Sequence, residues 1–472
     1  MRYCALAGAC ALFCLSCAQH RPLPKSDASV AEPSEAAVSE GPTVSEIFGW
    51  VQTPGGDAGT VIPEPDDDAR ALFDATDVRT FEVQLRDDDL ARINASPAEE
   101  LTVPARMRFD DKDYGDIGIR YKGSAGAFLQ PCTTATQPGR GRGAKSGKCS
   151  IKLDFGFQDD KARFFGLKKL NLHSMGRDLS LMREQLGYGL FREQGIASPR
   201  TNYARLVING KLEGLFLMVE HIDARFTRSR FSEGGDGNLY KEIWPQYPVR
   251  GPYRRALETN EGPLTNVDKM VSLAWTLQLA PDSALDWLDR QYSLRFLAVD
   301  RLTLNDDGSM HWYCFVPQGN NMGPFNNHNY YWYEAEAAGR LWLIPWDLDG
   351  AMAGVSRVRI DTDWMQTEDC GCHVLEGAPQ RRAGCDPLTK QLAQLKDDYR
   401  RELKAVLTSS LSAEKIESKL SGWAKRIEPF VKESAGPGGA PAVEGWKSAL
   451  QSLRDTLNAV RAQQSADLGD AD

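Results

Sequence analysis

After its first residues, the chain has no apolar run close to the roughly twenty residues that a membrane-spanning helix needs. We therefore expect the mature protein to be soluble apart from any lipid attached to it. Positive charge is scarce as well, because 56 Lys and Arg residues stand against 65 Asp and Glu residues, a net charge of −9. A nucleic-acid partner needs a concentrated positive surface for its phosphates, so the composition argues against such a partner.

A phosphate-binding P-loop is also missing. The nearest stretch, Gly-Arg-Gly-Arg-Gly-Ala-Lys-Ser-Gly-Lys at 139–148, has Arg142 where the first glycine must stand, and Cys149 follows Lys148 where Ser or Thr is required. We interpret this stretch as a basic surface loop. The sequence also has no Ser-rich tail that would accept phosphate within the protein itself.

The first 17 residues have the pattern of a bacterial export signal. Arg2 gives a short positive region, residues 5–15 are apolar, and Leu15-Ser16-Cys17 resembles a lipoprotein cleavage site, although Cys14 stands where Leu is usual. We expect a lipid on Cys17 and a membrane-anchored protein in the periplasm or on the cell surface. Plain secretion with cleavage nearby is the alternative. Residues 18–77, rich in Pro, Ser, Ala and Glu, are predicted to form a disordered tether.

Cysteine usage agrees with export. Outside the signal region the chain has six cysteines, an even number that favours disulfide bonds in an exported protein. Cys132 and Cys149 would close the basic loop at its base. A zinc site is the alternative for the remaining group, Cys370-Gly371-Cys372-His373 with Cys385, but the C-x-C spacing is less usual for structural zinc.

The folded part of the chain is long enough for two lobes. Alternating apolar residues and turn signals predict a small, strand-rich nucleotide lobe at 78–245, with strands at 80–85, 103–109, 114–121, 150–155, 203–208 and 214–220. One helix is predicted at 180–194, opened by Asp178 or Ser180 and closed by Gly195. Three regions follow: a large lobe at 246–360, a Cys-rich loop at 361–387 and a helical region at 388–472. The helical region has predicted helices at 388–407, 412–431 and 443–463 and is expected to pack on the large lobe.

The acidic stretch from Asn305 to Asp349 carries the main chemical signal. Residues 341–346 form a continuous apolar run, typical of a strand buried on both faces, and the run ends at Asp347. If the chain stays extended through Asp349, both carboxylates point to the same side, because side chains alternate along a strand. Two carboxylates with an Asn nearby suit Mg²⁺ or Mn²⁺ better than zinc. Capping of the next turn is the alternative for these aspartates.

Several pieces of this stretch resemble the signature of the spore coat protein H (CotH) kinase family. They are, in order, Asn305-x-Asp307, His328-Asn329-Tyr330-Tyr331 and Ile344-Pro345-Trp346-Asp347-Leu348-Asp349. The resemblance extends upstream to about residue 80, for example through Arg120-Tyr121-Lys122-Gly123-Ser124. It implies transfer of phosphate from ATP to Ser-rich proteins. With the helical pattern, it implies an α+β fold: a divergent, two-lobed protein-kinase-like fold with a C-terminal helical bundle.

The resemblance also implies residues that bind the donor ATP. Lys152 would pair with the phosphates while Glu184 on the predicted helix holds it in place, as in kinase-like sites. Lys241 is the competing phosphate lysine, and both stay open. Gly123 and Ser124 would cover the phosphates through backbone N–H groups. The segment containing Glu220 would contact the adenine, mainly through its backbone.

On the catalytic side, the resemblance makes Asp307 the base or the residue that orients the acceptor hydroxyl, with Asp306 as the alternative by one residue of register. Asn329 and Asp347 would be metal ligands, and Asp349 would either support these ligands from behind or bind a second metal. The sequence departs from the family pattern at 312–325, a longer connection that contains Cys314. This connection is a substrate-contacting insertion, a disulfide-tethered loop or a sign of a drifted site, and it bears most on Asp307.

The predicted function is that of an exported CotH-like atypical kinase, with Mg²⁺ or Mn²⁺ as cofactor, that transfers phosphate from ATP to Ser or Thr of a protein acceptor. An exported enzyme meets little ATP, which keeps alternatives open. The protein would otherwise use another phosphate donor, act as a metal-dependent phosphotransferase or hydrolase on cell-surface material, or serve as a catalytically inactive surface binding module.

Overall fold

The computed structural model describes residues 61–123, 132, 148–232, 235–314, 325–335, 339–353, 362–375, 378–434 and 443–469. Several predicted features lie wholly or partly outside the described residues. These are the export signal with Cys17, residues 18–60 of the tether, the phosphate-covering residue Ser124, the basic loop up to its last residue and residues 315–324 of the longer connection.

The N-terminal part of the described chain is folded earlier than predicted. Val61 forms an isolated β-bridge with Phe231, and a short helix, α1 (Arg70–Phe73), turns its apolar side chains into the core. The predicted tether of residues 18–77 therefore extends too far. The segment before residue 78 is rich in acidic residues, but its few apolar side chains find a surface on which to pack.

Seven strands form a closed barrel in the order β1-β2-β3-β4-β5-β7-β6. They are β1 (Arg79–Gln84), β2 (Val103–Phe109), β3 (Lys112–Lys122), β4 (Ser150–Asp154), β5 (Lys169–His173), β6 (Thr201–Ile208) and β7 (Lys211–Glu220). The closing pair, β1 with β6, is parallel, and the other neighbours are antiparallel. Every second side chain of β2 is buried, and the inward-facing side chains of the barrel form one apolar cluster.

The predicted strands correspond to six of the barrel strands, but the barrel itself is not predicted. β5 is absent from the predicted set although its residues alternate in polarity. The closure joins Arg79 to Ala204, which are far apart in the chain, so no local pattern reports it. The fold is α+β, and its strand-rich part is a closed barrel.

The rest of the described chain forms a mainly helical part and contains two small sheets. Helix α2 (Asp87–Ala95) belongs to the barrel region. The next helices are α3 (Arg183–Glu193), which lies between β5 and β6 in the chain, and then α4 (Ala224–Arg230), α5 (Arg250–Arg255), α6 (Asp268–Leu279) and α7 (Arg290–Leu302). One sheet is formed by β8 (Asn238–Lys241), β11 (Tyr330–Glu334) and β12 (Leu341–Pro345), in the order β12-β11-β8. The other is formed by β9 (Trp312–Cys314), β10 (Phe325–Asn326), β13 (His373–Leu375) and β14 (Ala378–Arg381), in the order β10-β9-β14-β13. Short 3₁₀ helices lie at Pro97–Glu99, Pro281–Trp287, Leu348–Gly350, Thr362–Met365 and Ala383–Cys385.

Helix α3 begins at a cap formed by Asp178. Its carboxylate accepts hydrogen bonds from the backbone N–H groups of Ser180, Met182 and Arg183. The chain leaves the helix at Gly195, whose φ of 73° favours glycine because other residues are strained there. The predicted helix at 180–194 is confirmed, although its first helical residue is Arg183.

The C-terminal region is helical, as predicted, with α8 (Pro387–Ala393), α9 (Lys396–Thr408), α10 (Ala413–Ser434) and α11 (Val443–Gly469). Its packing differs from the prediction, because these helices also contact the barrel. Arg205 of β6 forms an ion pair with Glu433 of α10, with an N–O distance of 2.6 Å. Trp446 of α11 donates a hydrogen bond to the carbonyl of Ser180 at 3.0 Å, just before α3. The C-terminal helices therefore hold the barrel and the helical part together.

All six cysteines outside the signal region are paired, as Cys132–Cys149, Cys314–Cys372 and Cys370–Cys385. The disulfide prediction is confirmed, and the zinc alternative is excluded for these cysteines because their thiols are not available to a metal. Within the described part of the chain, no helix is both long and apolar enough to cross a membrane.

Removing the Cys132–Cys149 bridge should destabilise the barrel. The bridge closes a loop with a sequence separation of 17, and chain-entropy arguments give about 3 kcal/mol for a loop of that size. We expect the C132S/C149S variant to lose about that much free energy of unfolding in urea under non-reducing conditions. Mass spectrometry would verify that the other four cysteines remain paired. A variant with the unfolding midpoint of the unmodified protein would show that this bridge does not constrain the chain.

Candidate functional site

The site begins where the buried strand β12 ends. All five residues of β12 are buried, and the chain then turns at Asp347, which has a left-handed φ of 49°. A 3₁₀ turn at Leu348–Gly350 follows. The chain therefore does not stay extended through Asp349, and strand alternation does not relate the two aspartates. Burial raises the pKa of Asp349 and the charge of Asp347 adds to this effect, so both carboxylates nevertheless belong to the same site.

Helix α3 fixes this turn from the barrel side. The backbone N–H of Asp347 donates a hydrogen bond to the Tyr188 hydroxyl at 2.9 Å. Gly187 lies against the turn so closely that a Cβ there would approach Leu348 Cδ1 to 2.9 Å. A side chain at this position would displace the buried Leu348 side chain, so glycine permits the close contact.

Three side chains from different elements meet at the turn. His173 ends β5, Glu184 lies in the first turn of α3, and Asp347 follows β12; one potential ligand atom from each lies within 4.8 Å of the others. His173 Nδ1 is 2.8 Å from Glu184 Oε1, and both side chains are buried. A barrel strand, a helix and a sheet strand thus converge on one point.

Lys122, at the end of β3, joins this group. Its Nζ lies 2.8 Å from His173 Nε2 and 5.1 Å from the centre of the Trp346 ring. Burial and the charge of Lys122 hold the pKa of His173 well below its usual range, so the ring is neutral. It accepts from Lys122 at Nε2 and donates from Nδ1 to Glu184. Glu184 therefore holds Lys122 through His173, which corrects the prediction that it holds Lys152.

The carboxyl groups of the site repel one another. Burial raises the pKa of Glu184 well above its usual range, and the charge of Asp347 adds to the effect. Burial, followed by Asp347 and Glu184, raises the pKa of Asp349 in the same way. Arg177 offsets part of this charge, with a nitrogen 3.9 Å from Asp349 Oδ1. A divalent cation would relieve the repulsion, and carboxylate oxygens suit Mg²⁺ or Mn²⁺. The residues present fit such a metal, although both His173 nitrogens are already engaged.

Asp307 lies beside Asn329 at the edge of the same site. The Asn329 amide Nδ2 donates to Asp307 Oδ2 at 3.1 Å and to the Asp307 carbonyl at 2.8 Å. This arrangement leaves Asn329 Oδ1 as the amide atom for a cation. Burial raises the pKa of Asp307, and the charge of Asp347 contributes, which places the two groups near each other. Asp306 faces Gly350 instead, since its Oδ1 would be 3.0 Å from a Cβ there.

The other two lysines lie around Lys122. Lys152 of β4 is paired in register with Arg120 and Asn171. Burial, then the charges of Arg120, Lys122 and Lys169, lower its pKa to about 7. Burial is the main cause that lowers the pKa of Lys122, and the charge of Lys241 on β8 lowers it further. Neither lysine occupies the position beside His173 and Glu184.

Two further predicted nucleotide-binding residues are Gly123 and Glu220. Gly123 follows Lys122, and its N–H donates to Glu100 Oε1 at 3.4 Å. Glu220 is fully buried, and its carboxylate pairs with Arg230, Arg200 and Arg225. Burial opposes its ionisation, but the three arginines lower its pKa to about 2. Its carboxylate thus belongs to an internal ion network, and the expected adenine contact of this segment, mainly through its backbone, stays a prediction.

The sequence prediction missed two residues of the site, Lys122 and His173. Lys122 lies within a recognised motif, two residues from Arg120 on the same face of β3. His173 ends β5, the strand absent from the predicted set. The alternation Lys169-Leu170-Asn171-Leu172-His173 is the signal that would have located this strand and placed His173 on its outer face.

Two comparisons with known proteins both identify CotH proteins as similar to this chain. A family model described as "CotH kinase protein" matches residues 119–462, a range that contains the site residues from Lys122 to Asp349. The inner spore coat protein H of Bacillus subtilis (strain 168) is 24% identical over 360 residues, which cover 73% of this chain and 85% of that protein.

The crowded carboxylates predict a pH effect on stability. The pKa of Asp349 is raised in the folded state, so this group supports folding only at low pH and opposes it as the pH rises from its unfolded pKa, about 4, through the folded pKa. In EDTA, the D349N variant should therefore melt above the unmodified protein at pH 8 and close to it at pH 4. Thermal melts across this range measure the difference. The exposed Asp282 provides a control, D282N. Parallel pH profiles for D349N and the unmodified protein would contradict the prediction.

Proposed function

Because this chain belongs to the CotH kinase protein family, we propose that it is an exported protein kinase that transfers phosphate from ATP to Ser or Thr hydroxyls of a protein. One observation carries the proposal: a buried lysine, a helix carboxylate and a group of acidic side chains meet in a single site between the barrel and the helical part. In phosphoryl transfer the protein mainly positions groups and neutralises charge, and these are the groups required.

The barrel side of the site would bind the donor. Lys122 supplies a positive charge for the phosphates, and Glu184 holds it through His173. This arrangement has the chemistry of the lysine and helix glutamate in protein kinases, with a neutral histidine inserted between them. Lys241 and Lys152 add positive potential nearby. On this basis the chain has a two-lobed, kinase-like arrangement in which the barrel is the nucleotide lobe.

The other side of the site would hold the metal and the acceptor. Asp347, Asn329 and Asp349 offer oxygen atoms for Mg²⁺ or Mn²⁺. When bound, the metal would neutralise charge on the donor phosphates. Asp307 keeps its carboxylate beside Asn329, where it would accept the proton of the acceptor hydroxyl or orient that hydroxyl. Arg177 reaches Asp349 from a half-exposed position and would add positive charge at the edge of the site.

Location and partners form part of the same proposal. The signal pattern ending at Cys17 and the three disulfides support an exported, lipid-anchored protein, since disulfides persist in oxidising compartments. The acceptor would be a Ser-containing surface or secreted protein. ATP is scarce outside the cytoplasm, so a different phosphate donor, or action on cell-surface material, is the competing reading of the same site.

The central test uses the full chain with labelled ATP and either Mg²⁺ or Mn²⁺. The D347A variant should lose metal-dependent nucleotide binding, because it removes an oxygen ligand. The D307N variant should keep nucleotide binding but lose at least about a hundred-fold in transfer to itself or to a Ser-rich protein, the range for a missing general base. Calorimetry and phosphate incorporation measure the two effects, with D282N as control. An unmodified protein that neither binds nucleotide nor transfers phosphate would leave a kinase-like surface binding protein.

The three lysines can be separated by substitution. We expect K122M to reduce transfer by about 10²–10³-fold, the range for removing one preorganised charge at a reacting group. K152M and K241M should reduce transfer by smaller factors, because neither lysine is held by the Glu184 carboxylate through His173. Initial rates at saturating acceptor decide the order. If K152M is the most damaging variant and K122M is mild, the donor lysine is Lys152 and the assignment of Lys122 is wrong.

A further inference from the structure

Tyr313 lies on β9, in the connection where this chain departs from the family pattern. Its hydroxyl donates a hydrogen bond to Asp307 Oδ1 at 2.8 Å. The other carboxylate oxygen, Oδ2, accepts from Asn329 Nδ2 at 3.1 Å. Each oxygen of Asp307 is therefore fixed by a separate donor. One of these donors comes from the connection at 312–325, which we call the departing segment.

The ring of Tyr313 contacts two histidine rings. The His311 ring lies 4.5 Å away and the His328 ring 5.5 Å away, between ring centres. The backbone of Tyr313 pairs with Asn326 of β10 and with Gln380 of β14. The hydroxyl is thus directed at Asp307 by contacts of the ring with two histidines and by the pairing of its backbone with two neighbouring strands.

A covalent bond secures the strand that carries Tyr313. The next residue, Cys314, forms a disulfide with Cys372, just before β13. β9 and β10 are only 3 and 2 residues long, and strands this short make few hydrogen bonds and are marginal alone. The disulfide compensates by tying β9 to the opposite edge of its own sheet.

The residue two positions after the departing segment contacts the loop that contains Asp307. Asn327, which follows β10 and is buried, donates a hydrogen bond from Nδ2 to the Ser309 carbonyl at 2.6 Å. Its Oδ1 accepts from the Tyr330 hydroxyl at 2.8 Å. The loop that holds Asp307 is therefore clamped at Asp307 by Tyr313 and at Ser309 by Asn327.

We propose that Tyr313 is a positioning residue, which fixes the Asp307 carboxylate for the acceptor hydroxyl, and that the Cys314–Cys372 disulfide holds Tyr313 in place. The inference rests on the proposed function, because positioning matters only if Asp307 acts on an acceptor. It gives the departing segment a role in the reaction of this chain. Reduction of the disulfide would loosen Asp307 without touching the groups that would bind the donor.

The experiment compares Tyr313→Phe, Cys314→Ser with Cys372→Ser, and the combination of all three changes, in the full chain. Tyr313→Phe should lower kcat for transfer roughly ten- to hundred-fold, because small displacements of a reacting group have effects of this size, while the ATP Kd stays unchanged. The cysteine variant should lower kcat in the same direction. Combining the changes should add little further loss, since both act through one hydroxyl. Tyr114→Phe, a partly exposed tyrosine on the barrel, is the control.

Hydrogen–deuterium exchange provides a readout that does not require activity. Peptides covering residues 302–311 should exchange faster in Tyr313→Phe and in the cysteine variant than in the unmodified protein. If Tyr313→Phe has unmodified exchange and kcat, the positioning role is overturned. If the cysteine variant alone is unchanged, the role of the disulfide is overturned. If the exchange shifts occur but the unmodified protein transfers no phosphate, the positioning contacts stand and the proposed function fails.

Discussion

The constraint on which the site depends is the burial of several carboxyl groups in one place. Glu184, Asp347 and Asp349 come from two elements. Burial raises the pKa of Glu184 and of Asp349, the charge of Asp347 adds to both effects, and the charge of Glu184 adds to that on Asp349. Partly buried acids of this kind are stable only with positive charge nearby. The barrel supplies it through Lys122, and the loop before α3 supplies Arg177. A divalent cation would complete the neutralisation, which is why we interpret the repulsion as the sign of a metal site.

Such a site needs a rigid connection between the parts that build it. The barrel carries Lys122 and His173, whereas Asp347 follows a strand of the helical part. The two are held together by the contact of Gly187 with Leu348, and at a distance by the C-terminal helices. The internal ion network around Glu220 connects the N-terminal segment to the barrel in a similar way, because Arg200 pairs with both Glu220 and Asp67. Buried ion networks of this kind favour one arrangement more than they add stability.

Patterns among neighbouring residues predicted individual strands, helices and the presence of disulfides. Alternation located β2 and β6, apolar spacing located α3, and the even number of cysteines indicated disulfides. The acidic stretch indicated Asp307, Asn329 and Asp347, which the fold does bring together. Three things depend on distant contacts and were not predictable: the parallel pairing of β1 with β6, the left-handed turn at Asp347 secured by Tyr188, and the position of Lys122 beside His173 and Glu184. This position depends on which end of two paired strands faces α3.

The departing segment shows how a variable connection can serve a fixed site. From sequence, the longer connection at 312–325 weakens the assignment of Asp307. In the structure, its first strand instead supplies the Tyr313 hydrogen bond to that carboxylate. Two short strands would not hold a side chain in place in a reducing compartment, because the Cys314–Cys372 bond would be lost there. The order of Asp307 therefore depends on surroundings that are oxidising enough to keep the Cys314–Cys372 bond, because this bond secures the strand whose tyrosine holds the carboxylate.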